Sequence, residues 1–131
     1  MRGRVILIVD DEKRIREMLD IRLSSAGYEV IQAKDGEEGV AQARRHRPDL
    51  ILMDVMMPKM DGGEAVKYLE KDPATKDIPV IFLTAIITRE EEESQAFGIQ
   101  LDTGKYRFIA KPFEPENLLD EIKKALEERY N

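Results

Sequence analysis

Five residues have the types and the placement for phosphoryl chemistry: Asp10, Asp11, Asp54, Thr84 and Lys111. Asp54 closes the apolar run Leu50-Ile51-Leu52-Met53, and a loop shaped by Pro58 and Gly62 follows it. Asp10 and Asp11 close a second such run, Val5-Ile6-Leu7-Ile8-Val9. Two carboxylates about 4 Å apart repel by ~4 kcal/mol at an effective dielectric of roughly 20. Three acids aimed at one point therefore call for a cation. Oxygen-only ligands favour a hard ion, and Mg²⁺ suits few carboxylates, several waters and phosphate oxygens. Lys111 can meet an incoming phosphoryl oxygen, and the Thr84 hydroxyl can donate to another. Asp54 is then free to act as a carboxylate nucleophile and form an acyl phosphate. Positioning and charge neutralisation are most of what phosphoryl transfer asks of a protein.

Each residue also has an ordinary reading. Asp11 fits the N-cap of a helix starting at Glu12. Asp61 with Glu64, three residues on, reads as a capping box rather than a site residue, and Asp35 with Glu38 reads the same way. Thr84 fits a loop and Lys111 a solvated surface. His46, in Arg45-His46-Arg47-Pro48, reads as a surface residue at a helix end. These readings suffice singly. Together they leave unexplained why reactive polar residues close four of the strand-like runs.

The elements that must position them are legible as an alternation. Residues 5–9, 29–33, 50–53, 80–83 and 107–110 read as five strands. Most lack strict polar alternation, as expected for strands covered on both faces. Amphipathic stretches lie between them. Ile15, Met18, Leu19, Leu23 and Ala26 form one stripe, stopped by Gly27. Val40 and Ala43 mark a second helix. Ala65, Val66 and Leu69 mark a third, ending before Asp72-Pro73. A fourth starts near Thr88, where Glu91 completes a capping box and the acids from Glu90 to Glu93 suit the positive helix end. The last uses Leu118, Leu119, Ile122, Ala125 and Leu126, with Pro115 in its first turn. The order is (βα)5, an α/β doubly wound parallel sheet. In such sheets ligands sit beyond the carboxyl ends of the strands. Asp10, Asp11, Asp54, Thr84 and Lys111 close strands 1, 3, 4 and 5, and strand 2 contributes nothing comparable.

The chain as a whole narrows the function. Its 131 residues fit one domain, with 42% hydrophobic residues for a core. A net charge of -6 disfavours direct nucleic-acid binding. The lack of cysteine excludes disulfides and thiolate metal sites. There is no apolar run long enough to suggest a membrane span and no signal-peptide pattern, so the expected location is cytoplasmic.

The sequence resembles the CheY-like receiver domain of two-component response regulators. The resemblance is carried by Val9-Asp10-Asp11, by Pro48-Asp49 leading into Leu50-Ile51-Leu52-Met53-Asp54, by Met57-Pro58 and by Met60-Asp61-Gly62. Leu83-Thr84-Ala85 and Lys111-Pro112-Phe113 complete the set, which spans nearly the whole chain. It implies a flavodoxin-like sheet in the order 2-1-3-4-5. It implies that Asp54 takes a phosphoryl group from a phosphohistidine on a sensor histidine kinase or histidine phosphotransfer protein. Asp10, Asp11, Asp54 and the backbone carbonyl of Met56 would hold Mg²⁺. Lys111 would pair with the phosphoryl group, across a cis bond to Pro112, and Thr84 would move toward a phosphoryl oxygen. Phe108 occupies the place of the aromatic switch residue. Its inward rotation would report to a face made by the fourth helix, the fifth strand and the fifth helix, where an unspecified target protein reads the state. The expectation is a single receiver domain over residues 1–131, with no output domain in this chain. It would be a phosphoprotein that catalyses its own phosphorylation and dephosphorylation and turns over no diffusible substrate. Phosphorylation-dependent dimerisation is left open, and neither nucleic acid nor membrane is an expected partner.

Two features depart from the pattern. The stretch from Thr84 to Lys111 is longer than is usual in the family, with the surplus placed between Phe97 and Gly104. Met56 and Ile86, each two residues after a site residue, are apolar and cannot orient an attacking water by hydrogen bonding. A slowly hydrolysed phosphoryl-aspartate is expected, although Ile86 can equally be a packing residue. Two alternatives come from other classes. A Mg²⁺-dependent aspartyl-phosphate phosphohydrolase of the haloacid-dehalogenase type would want an acid where Met56 stands. A phosphorylation-independent interaction module would not need all five site residues. Kinase activity is disfavoured, since the chain has no glycine-rich nucleotide loop.

Overall fold

The structure is a computed structural model that describes residues 4–84, 106–111 and 113–130, without the side chains of Thr84 and of residues 128–130. Five strands form one parallel sheet in the order β2-β1-β3-β4-β5. They are β1 (Val5–Val9), β2 (Glu29–Ala33), β3 (Leu50–Asp54), β4 (Val80–Thr84) and β5 (Tyr106–Ala110). Among the described residues, α1 (Lys13–Ser25), α2 (Gly36–His46) and α3 (Gly62–Glu70) follow the first three strands, and a C-terminal helix (Pro115–Tyr130) follows β5. The fourth helix expected near Thr88, the capping box of Thr88 and Glu91, the surplus between Phe97 and Gly104, and Ile86 lie outside the described residues.

Side-chain alternation divides the core. Ile6, Ile8, Leu50, Leu52, Ile81 and Leu83 pack with Leu19 and Leu23 of α1 and Leu118, Ile122, Ala125 and Leu126 of the C-terminal helix. Leu7, Val9, Ile51, Met53, Val80 and Phe82 pack with Val40 and Ala43 of α2 and Ala65, Val66 and Leu69 of α3. Both faces of β1 and β3 are thus covered, which is why these strands read as unbroken apolar runs.

Three strands extend one residue beyond the sequence expectation: β3 through Asp54, β4 through Thr84, and β5 back to Tyr106. The ladder is a backbone property and does not stop where a side chain turns polar. The α1 stripe is narrower than expected. Leu19 and Leu23 are buried and Ile15 is partly so, whereas Met18 is 40% exposed and Ala26 is exposed. Gly27 ends this helix at φ 97, in the left-handed region that glycine enters without steric cost.

The caps sort as short-range chemistry dictates. The Glu38 amide donates to Asp35 Oδ1 at 2.7 Å, and the Glu64 amide donates to Asp61 Oδ1 at 2.9 Å. Asp11 is not a cap. Helix α1 starts one residue later than expected, its N-cap Glu12 makes no side-chain cap bond, and the Glu12 amide donates to Asp10 Oδ1 at 2.9 Å. His46 is the exposed last residue of α2.

Candidate functional site

Register brings the acids together. Val9 pairs with Met53, so Asp10 stands one step beyond it, level with Asp54 on the neighbouring strand. Asp54 pairs with Leu83, and Thr84 pairs with Ala110, which Lys111 follows. Asp10, Asp54 and Lys111 also continue the alternation of Ile8, Leu52 and Ile109, all on the face covered by α1 and the C-terminal helix. Sequence position alone thus delivers two carboxylates and an ammonium to one side of one sheet end.

Asp10 and Asp54 are buried and Asp11 is exposed, yet carboxylate oxygens of all three lie within 4.8 Å of one another. Lys111 Nζ lies 3.1 Å from Asp10 Oδ2 and 3.6 Å from Asp54 Oδ1. Burial pushes the Asp54 carboxyl up to about 7, and the negative charge of Asp10 adds to it. Lys111 and the Met56 amide oppose the rise without cancelling it. Burial would lower the Lys111 ammonium, but attraction to Asp54 and Asp10 outweighs it and its pKa ends up raised.

The donor set fits a hard divalent cation. All its ligand atoms are oxygens, and they span about the width of an Mg²⁺ coordination shell (oxygens at ~2.1 Å from the metal). The backbone around Asp54 is tightly held. The Val55 amide donates to the Leu83 carbonyl at 3.0 Å, and the Gly62 amide donates to the Val55 carbonyl at 3.0 Å. A Cβ on Gly62 would come within 2.8 Å of the Asp54 carbonyl oxygen, so glycine is what lets α3 close on the end of β3. Met56, beside the acids, is 60% exposed.

Of the other sequence candidates, Thr84 ends β4, and its hydroxyl lies outside the described side chains. Pro112 lies outside the described residues, and with it the cis bond expected before it. Phe108 is on the opposite face of the sheet from the acids. It packs against the α2–α3 core and stacks on Phe82 with ring centroids 5.1 Å apart. Sequence reading missed Arg16, whose Nη1 donates to the Asp10 carbonyl at 2.8 Å. It also missed Gln32 on β2, whose Oε1 accepts from Arg16 Nε at 3.2 Å. The available signal was faint: a cation one turn into the helix that follows two acids.

Comparison with known proteins identifies the family and the fold. The family model for the response regulator receiver domain matches residues 6–123. The chain is 41% identical over 126 residues to the phosphate regulon transcriptional regulatory protein PhoB of Pseudomonas aeruginosa, covering 96% of this chain and 53% of that protein. It is 40% identical to the DNA-binding dual master transcriptional regulator RpaA of Synechocystis, covering 92% of this chain and 48% of RpaA. The chain therefore spans about half the length of these curated relatives. Among solved structures, the chemotaxis protein CheY4 of Vibrio cholerae superposes with a TM-score of 0.82 at 36% identity, covering 95% of this chain and 99% of that one. The receiver domain of the sensor histidine kinase PA1611 of P. aeruginosa, described with magnesium coordinated in its active-site cleft, gives 0.83 at 29% identity, covering 95% and 98%.

The fold and the acidic sheet end define a flavodoxin-like signalling domain of two-component systems. This chain belongs to the response regulator receiver family. Receiver domains are signalling proteins phosphorylated by histidine kinases, they bind Mg²⁺ at an acidic site, and the Asp10, Asp11 and Asp54 pocket is compatible with that chemistry. No helix of the described residues is long and apolar enough to cross a membrane.

Proposed function

We propose that Asp54 is the phosphoryl acceptor of this receiver, and that Asp10, Asp11, Asp54 and the Met56 carbonyl hold Mg²⁺ beside it. The observation that carries the reading is the Lys111 ammonium, set 3.1 Å from Asp10 and 3.6 Å from Asp54 at the edge of the three-acid cluster. A carboxylate oxygen of Asp54 attacks the phosphorus of a phosphohistidine on the partner kinase or phosphotransfer protein. The P–N bond breaks, and its electron pair leaves with the imidazole nitrogen, which takes up a proton. Bound Mg²⁺ would neutralise charge on the acids and on the transferring oxygens. Lys111 then exchanges its contact with the Asp54 carboxylate for one with a phosphoryl oxygen, and Thr84 serves a second oxygen. The chain catalyses this transfer and the later hydrolysis on itself, without a diffusible substrate to turn over.

Phosphorylation stabilises one of two arrangements, and Phe108 on β5 reports which is populated. A target protein reads a face that includes β5 and the C-terminal helix; the fourth helix expected to complete it lies outside the described residues. The test combines Mg²⁺ with acetyl phosphate, or with beryllium fluoride as a phosphoryl mimic. Mass should rise by one phosphoryl group with acetyl phosphate, and the Phe108 environment should change with either reagent. Asp54→Asn should abolish both responses. A mutant that still responds like the wild type would overturn the assignment.

A further inference from the structure

Asp10 is held at every polar atom. Its amide donates to the Ala33 carbonyl at 3.2 Å, its Oδ1 accepts from the Glu12 amide at 2.9 Å, and its Oδ2 accepts from Lys111 at 3.1 Å. Its carbonyl accepts from Arg16 Nη1 at 2.8 Å. That carbonyl belongs to the peptide plane joining Asp10 to Asp11, so fixing it fixes the direction in which the Asp11 backbone departs. Asp11 is the exposed member of the acidic trio, and exposed side chains are held least by packing.

Arg16 is itself braced. Its Nε donates to Gln32 Oε1 at 3.2 Å, and Gln32 Nε2 donates to Asp20 Oδ2 at 2.7 Å. Asp20 Oδ1 accepts from the Ser24 hydroxyl at 2.8 Å. The chain of bonds runs from the middle of α1, through the edge strand β2, to the loop that presents two of the three acids. The planar guanidinium fork reaches both the Asp10 carbonyl and Gln32 at once, a geometry that a single ammonium cannot reproduce.

We propose that Arg16, braced by Gln32 and Asp20, is a positioning residue that sets the aim of Asp11 at the cation site. The proposal rests on the Mg²⁺ site described under the proposed function. Two effects of removing Arg16 have opposite signs, which makes the test decisive. Charge alone predicts that Arg16→Met binds Mg²⁺ more tightly, because a cation near three acids has gone. Positioning predicts weaker binding, by about 10-fold or more, as for other groups that orient metal ligands from behind.

The experiment titrates the full chain with Mg²⁺ alone, by calorimetry and by the NMR shift of the Asp11 amide, and records the metal-free thermal midpoint of each variant. Arg16→Met should weaken Mg²⁺ binding and move the Asp11 amide before metal is added. Arg16→Lys should recover part of the affinity. Asp20→Ala, which leaves the arginine in place, should weaken binding less, and adding it to Arg16→Met should cost nothing further. That non-additivity separates positioning from a general loss of stability, which would lower the midpoints additively. Unchanged or tighter Mg²⁺ binding in Arg16→Met overturns the proposal. A wild-type chain that takes no Mg²⁺ overturns the site itself, and the two failures are distinct. Should Arg16→Met not fold, Asp20→Ala decides: wild-type Mg²⁺ affinity with an unmoved Asp11 amide overturns the proposal.

Discussion

At the scale of single residues, the Asp54 carboxylate is held at a cost to the fold. Its ordinary pKa is 3.8, and in the folded protein it rises to about 7 through burial and then the charge of Asp10. Between those values the folded state keeps a proton that the unfolded chain has lost. Stability from this group is therefore fullest below the unfolded value and falls as pH rises, until the loss is complete above about 7. Asp54→Asn, which cannot ionise, should unfold at a higher temperature than the wild type in metal-free buffer. The gap should widen between pH 5 and pH 8, and a gap independent of pH would refute the assignment of this carboxyl. Met56 gives a second prediction. Its exposed apolar side chain beside the acids offers water no hydrogen bond. Replacing Met56 with Asn and Ile86 with Glu should speed loss of the phosphoryl group by about 10-fold, a modest gain against the usual range for general acid–base assistance. Decay of the radiolabelled protein measures this, and an unchanged rate would refute it.

At the scale of elements, the contact between α3 and the end of β3 decides how firmly Asp54 is presented. A Cβ at Gly62 would meet the Asp54 carbonyl oxygen at 2.8 Å, Met53 Cγ at 3.1 Å and Phe82 Cε1 at 3.2 Å. A backbone oxygen cannot swing aside as a side-chain tip can. Gly62→Ala should therefore cost about 1–3 kcal/mol in denaturant unfolding and should also weaken Mg²⁺ binding. Gly27→Ala is the contrast. There a Cβ meets nothing within 4 Å, and only the left-handed backbone resists it. It should cost about 1 kcal/mol and leave Mg²⁺ affinity unchanged. Equal effects of the two substitutions on Mg²⁺ binding would contradict this account.

The same scale shows what the sequence could disclose. Asp35 and Asp61 were readable as caps because their partners lie three residues away. The strands were readable because burial on both faces writes itself as an apolar run, with errors of one residue where the backbone ladder outlasts the run. Asp10, Asp54 and Lys111 were readable because strand ends in a parallel sheet converge. The link from Arg16 to Gln32 was not, since it joins residues 16 positions apart through a register that only the assembled sheet defines. The cap reading of Asp11 fails because the helix begins one residue later, with Asp10 receiving the first loose amide instead.

At the scale of the whole molecule, metal binding and folding are linked. The unfolded chain does not hold three carboxylates together, so Mg²⁺ at the proposed site would bind the native state alone. At 100 times its dissociation constant it should add about 2.7 kcal/mol, or roughly 10 °C in the unfolding midpoint of a domain this size. A calorimetric scan against matched ionic strength of a monovalent salt should show the shift in the wild type and much less of it in Asp54→Asn. A comparable rise with the monovalent salt would mean that screening, not site occupancy, stabilises the protein.

The acids and the Phe82–Phe108 stack lie on opposite faces of one sheet. On the proposed reading, a donor would approach Asp54 at the carboxyl end of the sheet and a reader the edge strand β5, so the two need not compete for space. On that reading the domain could be charged while its reader is already seated. By thermodynamic reciprocity, a reader that prefers the phosphorylated form binds it more tightly and favours phosphorylation by the same factor. The listener, and not only the donor, would then set how much of the message is present at equilibrium.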